Sequence, residues 1–279
     1  MKVIALSVCS FFIYIAANAQ SLESFVHSAE YGISVGASHY FGDLNPNASI
    51  SHPKLAAGIF YQKQFNNYVG VRISGNYAFL GYADRYNKDS AYKTRNLSFN
   101  TDVWEMSVGG YFNFFKFNPQ IPEYNFTPYI SLGIGVFSFN PYSYLSGQKV
   151  YLQPLGTEGQ GDSVAYGKPY STIAFSIPVG IGVKYALNKK INVFAEVSYR
   201  FTTTKYLDDV SGKYHPNAYP QTDANGNYTK WYLMQDRSYE LGNRIGKDGL
   251  QRGNGQNDSF ATFQVGISFN IQSYKCPQP

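Results

Sequence analysis

IAFSIPVGIGVKY, residues Ile173 to Tyr185, places apolar side chains at its odd-numbered positions and mostly small or polar residues at the even ones. INVFAEVSYRFT, residues Ile191 to Thr202, follows after the short segment 188–190 and repeats the alternation. A period of two residues is typical of a β-strand whose two faces meet different surroundings. The two stretches therefore predict neighbouring strands joined by a short turn.

The same alternation recurs along the rest of the chain, in runs that are separated by loops. These runs are Glu30–Phe41, Leu55–Phe65, Val69–Phe79, Val103–Phe115, Tyr129–Phe139 and Ala261–Ile271. No window shows a competing helical period. Together with the first two stretches, they predict about eight strands, which is the smallest number usual for outer-membrane barrels.

The length and composition of the runs separate a membrane barrel from a soluble β-protein. A tilted strand needs about ten residues to cross a membrane, whereas strands of soluble proteins average about five to six. The predicted strands have the greater length, and their apolar faces often end in Tyr or Phe, as in the aromatic girdles of membrane barrels. A lipocalin-like barrel and a soluble β-sandwich are alternatives with the same alternation.

The connections between the runs also alternate in length. The segments 66–67, 116–125 and 188–190 are short or moderate, whereas 42–54, 81–102, 140–170 and 203–258 are longer. Each longer connection follows an odd-numbered strand, as expected for a barrel with a periplasmic N-terminus and long outer loops. The sequence predicts an all-β fold: a transmembrane, antiparallel, up-and-down β-barrel of about eight strands with long extracellular loops.

Composition excludes several classes of protein. The 279 residues are 44% hydrophobic and 18% aromatic, but only 15% are charged, well below the usual fraction of about 25%. A mean hydropathy of -0.30 is too low for a polytopic helical membrane protein. Two cysteines exclude a disulfide scaffold, and a net charge of +5 without a basic cluster gives no sign of nucleic acid as a partner.

The N-terminus has the pattern of a secretory signal peptide. Lys2 precedes the apolar run Val3–Ile15, and the small residues of Ala17–Ala19 form a cleavage site before Gln20. A short membrane anchor is the alternative, but a helix needs about 20 apolar residues to span a bilayer. We therefore expect a signal peptide over residues 1–19 and a single outer-membrane barrel domain over residues 20–279.

The predicted mature chain keeps one cysteine, Cys276, close to its C-terminus. An even number of strands places both termini on the periplasmic side, which is oxidising. An odd cysteine there is a candidate for an intermolecular disulfide, with an inert free thiol as the alternative.

Six charged residues fall on the faces of the strands that are predicted to line the lumen: Glu30, Arg72, Glu105, Lys184, Glu196 and Arg200. Charges in a narrow lumen of low dielectric constant have to pair, so we expect a structural ion-pair network. A path for protons or ions is the alternative, and it is disfavoured because side chains fill a barrel of this size.

Candidate catalytic and metal-binding groups are few. Asp208, Asp209 and His215 share one long loop and suggest a hydrolase, but neither G-x-S-x-G nor H-E-x-x-H is present. Asp223, Asn225 and Asn227 resemble part of a calcium loop, yet Gly226 is at the wrong position and a hairpin turn explains the segment better. The sequence predicts no catalytic residue, no cofactor and no metal, and therefore no enzyme.

Several motifs resemble one family of Bacteroidota outer-membrane barrels, the family of the PorG component of type IX secretion. In chain order they are YFGDLN at 40–45, RNLSF at 95–99, LQPLGTEGQG at 152–161, IPVGIG at 177–182, YLDDVS at 206–211 and YKCP at 274–277. Lys205 departs from the pattern, because an acidic residue is expected there. The motifs extend over nearly the whole predicted mature chain.

The resemblance implies a non-enzymatic barrel that anchors a periplasmic ring of lipoproteins, part of the type IX secretion machine, to the outer membrane. The implied contact surface comprises residues 21–29, 116–125 and 274–279, and Cys276 becomes a candidate link to a ring subunit. The alternatives are a passive small barrel or a surface protein that binds through its long loops, and, less favoured, a membrane-embedded hydrolase.

The last strand also resembles the terminal-strand signal that the barrel-assembly machinery recognises. Gln264, Gly266, Phe269 and Ile271 fit this terminal-strand signal. The expected surroundings of the chain are therefore outer-membrane lipids, with the assembly machinery as a transient partner and the lipoprotein ring as a lasting one.

Overall fold

The computed structural model describes residues 27–161 and 167–272. Its strands are β1 (His27–Phe41), β2 (Lys54–Gln64), β3 (Val69–Ala83), β4 (Ser98–Asn113), β5 (Phe126–Ser138), β6 (Tyr142–Leu145), β7 (Gln148–Tyr151), β8 (Ile173–Ala186), β9 (Ile191–Thr202) and β10 (Ser259–Gln272). The predicted signal peptide and Cys276 lie outside the described residues. In the part of the chain that is described, no helix is both long enough and apolar enough to cross a membrane.

Eight of these strands form a closed barrel. Each pairs antiparallel with its neighbours in the order β3-β2-β1-β10-β9-β8-β5-β4, and β3 pairs with β4 to complete the circle. Closure gives every strand two hydrogen-bonded neighbours and leaves no free sheet edge. The prediction of an eight-stranded antiparallel β-barrel is confirmed.

The outer surface of the barrel is apolar. Trp104, Met106 and Phe175 expose 63%, 68% and 66% of their surfaces, whereas Glu30 and Asn192, which point inward, expose none. Contact of this surface with water would be unfavourable, because its exposed apolar side chains form a continuous band and not isolated positions. The exterior matches lipid, and the fold is that of an integral outer-membrane barrel.

The lumen contains more aromatic side chains than the strand patterns predicted. The rings of Phe60 and Phe194 meet edge to face inside the barrel, with their centres 5.4 Å apart. Phe117, from the connection between β4 and β5, is fully buried. Sequence alternation alone cannot identify these residues as inward-facing fill, because an aromatic residue is equally compatible with the lipid face.

All four long connections lie at one end of the barrel, and the connections 65–68, 114–125 and 187–190 lie at the other. β3 and β4 extend further than predicted, so the connection between them is residues 84–97 and not 81–102. The extension occurs because residues 80–83 pair with residues 98–101. The loops also contain short elements: helices Ser90–Arg95 and Lys230–Gln235, the β6–β7 hairpin, and 3-10 turns Asp84–Tyr86, Gln153–Leu155 and Ser238–Glu240, with a further turn Pro122–Tyr124 at the opposite end.

The described residues of the connections 42–53, 84–97, 139–172 and 203–258 fold together into a structure that we call the loop cap. Its apolar interior includes Leu44, Leu97, Leu207 and Met234, each at most 4% exposed, and continues into the upper barrel through Phe260. The long loops are therefore held by a common hydrophobic core and not spread into solvent as independent segments.

Candidate functional site

Three ion pairs span the lumen and contain all six charges assigned to it from the sequence. Arg72 lies 2.6 Å from Glu196, Arg200 lies 3.1 Å from Glu105, and Lys184 pairs with Glu30. The amide of Gln62 connects two of the pairs, because it donates to Glu30 and accepts from Arg72. Each charge thus has a partner of opposite sign at a position where an unpaired charge would be strongly destabilising.

The space left in the lumen is small and polar. A cavity of about 60 Å³ lies between Arg72, Asn76, Glu196 and Gln264. One water occupies roughly 10–15 Å³ of such a cavity, so there is room for a few waters only. One guanidinium nitrogen of Arg72 and the amide nitrogen of Gln264 have no protein partner here, and such waters would satisfy them.

A second charge network lies in the loop cap and joins several of the sequence motifs. Arg95 binds Asp84 with two hydrogen bonds, of 2.8 and 2.7 Å, in a bidentate arrangement. It also donates to the carbonyl oxygens of Asp43, at 3.0 Å, and of Arg252, at 2.6 Å. One buried guanidinium thus fixes three loops relative to one another.

Arg252 has the same role on the other side of this network. Its guanidinium donates to the Glu158 carboxylate at 3.1 Å and to the Asp209 carbonyl at 2.6 Å. Glu158 in turn accepts the backbone N–H groups of Ser211 and Gly212, each at 2.8 Å. The Thr-Glu-Gly-Gln-Gly and Leu-Asp-Asp-Val-Ser motifs therefore meet through a buried ion pair.

A pair of buried carboxyl groups shares one tyrosine at the base of the cap. The Tyr40 hydroxyl lies 2.6 Å from Asp208 and 2.9 Å from Asp258. Burial, and the charge of neighbouring carboxylates, raise the pKa of both Asp208 and Asp258 well above its ordinary value. A hydroxyl has a single proton, so one of the two carboxyl groups holds its own proton and completes the second hydrogen bond.

The cap should gain stability as the pH falls from about 6 to about 4. Burial raises the pKa of Asp43 to about 6, and burial also raises that of Asp209 to about 6 despite nearby Arg252. Because the folded pKa lies above the unfolded value, the folded cap binds protons more tightly than the unfolded chain. Full protonation stabilises the folded cap by about 3 kcal/mol through Asp209 and by less through Asp43, whose charge is better screened by solvent. Protection factors of the loop amides, which correct hydrogen exchange for the intrinsic rate at each pH, should be higher at pH 4.5 than at pH 7.

Asp43→Asn is the matched variant for this measurement. It keeps the oxygen that accepts from the Asn254 backbone N–H at 2.8 Å, but it cannot ionise. The difference in protection between the two pH values should shrink in this variant. An unchanged difference would contradict the assignment of Asp43 as a titrating group.

The structure separates the residues that suggested a hydrolase. His215 pairs with Asp248 at 3.2 Å, whereas Asp208 and Asp209 are buried in the cap network. Asp223 accepts the backbone N–H groups of Asn225 and Asn227, which is the geometry of a turn. Over residues 27–161 and 167–272, no group of three or more His, Cys, Asp or Glu side chains is suited to hold a metal ion.

The residues of the predicted assembly signal occupy different faces of β10. Gln264 and Gly266 face the lumen, and a Cβ added at Gly266 would lie 2.2 Å from the Ile33 carbonyl oxygen. Phe269 stacks on Tyr31 with ring centres 5.4 Å apart, and Ile271 is 41% exposed.

The cap network is the part of the site that sequence reasoning missed. Asp43, Arg95 and Glu158 lie inside the quoted motifs, but nothing in the sequence showed that they are buried together. Asp84 and Arg252 lie outside those motifs. The available signal was the presence of charged residues in motifs whose other positions are mostly small or apolar.

Comparison with known proteins gives one family and several distant structures. The sequence profile of a family described as "Domain of unknown function (DUF6089)" matches residues 7–248. No curated protein matches the chain. Similar solved structures include Neisserial surface protein A, with 10% identity, TM-score 0.43, and coverage of 87% of this chain and 97% of that one.

Two further structures show similar values. Ail of Yersinia pestis has 12% identity and a TM-score of 0.39, over 88% of this chain and 100% of that one. OprG of Pseudomonas aeruginosa has 9% identity and a TM-score of 0.39, over 89% and 99%.

Proposed function

This chain belongs to the DUF6089 family, and on that premise we propose that it is a non-enzymatic component of type IX protein secretion, a PorG-like barrel of a Bacteroidota outer membrane. In this role it anchors a periplasmic ring of lipoproteins to the membrane. The observation that carries the proposal is that charged residues of the sequence motifs are buried and bind the loops together. The charged side chains at Asp43, Arg95, Glu158 and Asp209 fix the loops to one another, and none is presented to solvent.

An anchor has to be rigid. Paired charges and aromatic rings fill the lumen, and the loop cap has its own apolar core. The barrel and its long connections therefore form one rigid body. A conducting channel would need a wide lumen, and the described lumen has room for a few waters only. Asp208 and Asp209, the acids that suggested a hydrolase, are buried in the cap network.

The end of the barrel with short connections is the proposed periplasmic face. β1 begins and β10 ends there, where His27 pairs with Gln272. Exposed apolar residues occur there as well: Phe65 at 62%, Leu187 at 58% and Ile121 at 37%. Ile121 belongs to the predicted contact surface of residues 21–29, 116–125 and 274–279, and Phe65 and Leu187 would extend it. Residues 21–26 and 274–279 of this surface lie outside the described residues.

Deletion of the gene tests the proposal directly. We expect the deletion strain to retain type IX cargo inside the cell, and a Leu187→Asp/Ile121→Asp variant to reproduce part of this defect because charge disfavours the apolar contact. Leu241→Asp, which alters an equally exposed leucine in the loop cap, is the matched control. Export of surface and secreted cargo at wild-type level in the deletion strain would remove the secretion role.

Co-purification identifies the partner and tests the cysteine in the same preparation. Periplasmic lipoproteins should be recovered with the barrel from gently solubilised membranes. If Cys276 forms the proposed disulfide, part of this recovery resists denaturant without reductant and is lost in Cys276→Ser.

A surface-binding role is the second candidate. It is favoured by exposed apolar side chains on the loop cap, with Tyr228 at 61%, Leu241 at 64% and Leu250 at 45%. Under this alternative Leu241→Asp would lose attachment or partner binding while secretion continued. The same pair of variants therefore separates the two functions.

A further inference from the structure

A polar cleft of about 290 Å³ lies beside the loop-cap ends of β3 and β4, and residues 96–99 of the RNLSF motif form part of its lining. Its walls come from β2, β3, β4, β6 and the loop cap, so five separate segments of the chain meet around it. The lining combines cations, amides, hydroxyls and aromatic rings, and includes Lys54, Arg85, Asn96, Asn100, Tyr144 and Arg237.

The charge of the cleft is positive. Lys54, Arg85 and Arg237 face a single acid, Glu240, which pairs with Arg237 at 2.9 Å. Arg237 is also held by Ser143 at 3.0 Å and Ser98 at 3.2 Å, so it forms part of a fixed wall. Lys54 and Arg85 have no carboxylate partner among the described residues, and their charges are available to an anion.

An aromatic ring is exposed in the cleft lining. Tyr86 is not available, because it stacks on His52 at 3.6 Å and has the Arg85 guanidinium 5.0 Å from its ring centre. Tyr144 lines the cleft and is 49% exposed. An exposed aromatic surface of this kind suits the apolar face of a sugar ring.

The height of the cleft relative to the apolar band indicates where its ligand comes from. Trp104 packs on Tyr77 at 4.8 Å and marks the upper edge of the band on β4. Asn100 is four positions further along the strand, roughly 9 Å higher for a rise of about 3.3 Å per residue and a tilt of about 45°. The cleft therefore lies at the level of lipid head groups.

We propose that this cleft binds the phosphorylated sugar head group of an outer-leaflet glycolipid. Lys54 and Arg85 bind the phosphate, Asn96 and Asn100 bind sugar hydroxyls, and the Tyr144 ring packs on the apolar face of the sugar. The inference rests on the proposed outward orientation of the loop cap, but it does not depend on the secretion role. It places a specific lipid at one side of the barrel.

The test uses the full mature chain in detergent, with native mass spectrometry to measure the fraction that carries bis-phosphorylated lipid A. Lys54→Ala/Arg85→Ala should lower the affinity about tenfold or more, because charge-assisted hydrogen bonds are lost. Lys88→Ala/Lys93→Ala removes the same charge from exposed positions outside the cleft and should change it less than twofold.

Two further arms identify the ligand. Dephosphorylated lipid A should bind the wild-type chain about as weakly as lipid A binds the double variant. Glucosamine 1-phosphate, a free sugar phosphate, should displace lipid A only at a large molar excess. Equal affinity of the wild-type chain and Lys54→Ala/Arg85→Ala, equal binding of dephosphorylated lipid A, or displacement by the free sugar phosphate at equimolar concentration would each overturn the proposal. Secretion is not measured, so these outcomes are independent of the proposed function.

Discussion

Arg252→Met is expected to open the loop cap while the barrel remains closed. The Arg252 guanidinium is 2% exposed and holds Glu158, the Asp209 carbonyl and the Gln235 carbonyl. Methionine fills similar space without the charge, so the Glu158 carboxylate stays buried without its cation. Breaking a buried pair in this way costs about 3–5 kcal/mol. The barrel does not share this loss, because its strands are held by their own backbone ladder.

Limited proteolysis would measure the opening. Cleavage within residues 203–258 should become at least tenfold faster in Arg252→Met, while the barrel still migrates as a folded species in unheated electrophoresis. Arg85→Met is the matched control, since Arg85 is exposed and makes no ion pair in the described structure. Equal cleavage rates in the two variants would show that Arg252 does not hold the cap together.

Arg200→Met should destabilise the barrel itself. Arg200 donates to Glu105 at 3.1 Å and to the Thr262 hydroxyl at 2.5 Å, and it lies deep in the lumen. Its loss leaves Glu105 with only neutral partners, Ser176 and Asn76, at a cost of about 3–5 kcal/mol. The melting temperature should fall, and single-channel conductance in planar bilayers should stay at the wild-type level because aromatic and polar side chains still fill the lumen.

The double variant Glu105→Gln/Arg200→Met distinguishes the cost of losing the whole ion pair from the cost of leaving the Glu105 carboxylate unpaired. With no unpaired carboxylate, it should recover most of the lost stability, since neutral replacements of a buried ion pair are often tolerated. A melting temperature below that of Arg200→Met would contradict this explanation. A large rise in conductance in either variant would instead indicate that these charges line an ion path.

The strands could be predicted because their signal is local. The alternation in Ile173–Tyr185 matches β8, Ile173–Ala186, and the other runs agree with their strands to within a few residues at most ends. The largest differences occur at the loop end of β3 and β4. There the alternation weakens, and only pairing between the two strands keeps residues 80–83 and 98–101 extended.

The cap network could not be predicted because its contacts are distant in sequence. The guanidinium of Arg95 reaches carbonyl groups 52 and 157 residues away, at Asp43 and Arg252. The same residues also read as ordinary charged positions in polar loops, where exposure is the usual outcome. The Asp208–Asp209 pair suggested chemistry for this reason, whereas its carboxyl groups are buried among the other loops of the cap.

The sequence by itself determined the barrel, its approximate number of strands, the face of each strand that meets lipid, and the sorting of long connections to one end. Each of these depends on a period of two residues or on segment length, which are properties of neighbouring positions. Tertiary structure alone decided which charges pair, as for Lys184 and Glu30, which are 154 residues apart. It also decided that the long loops share a core and enclose a cationic cleft, because closure of the barrel sets which loops meet, and no local pattern encodes that.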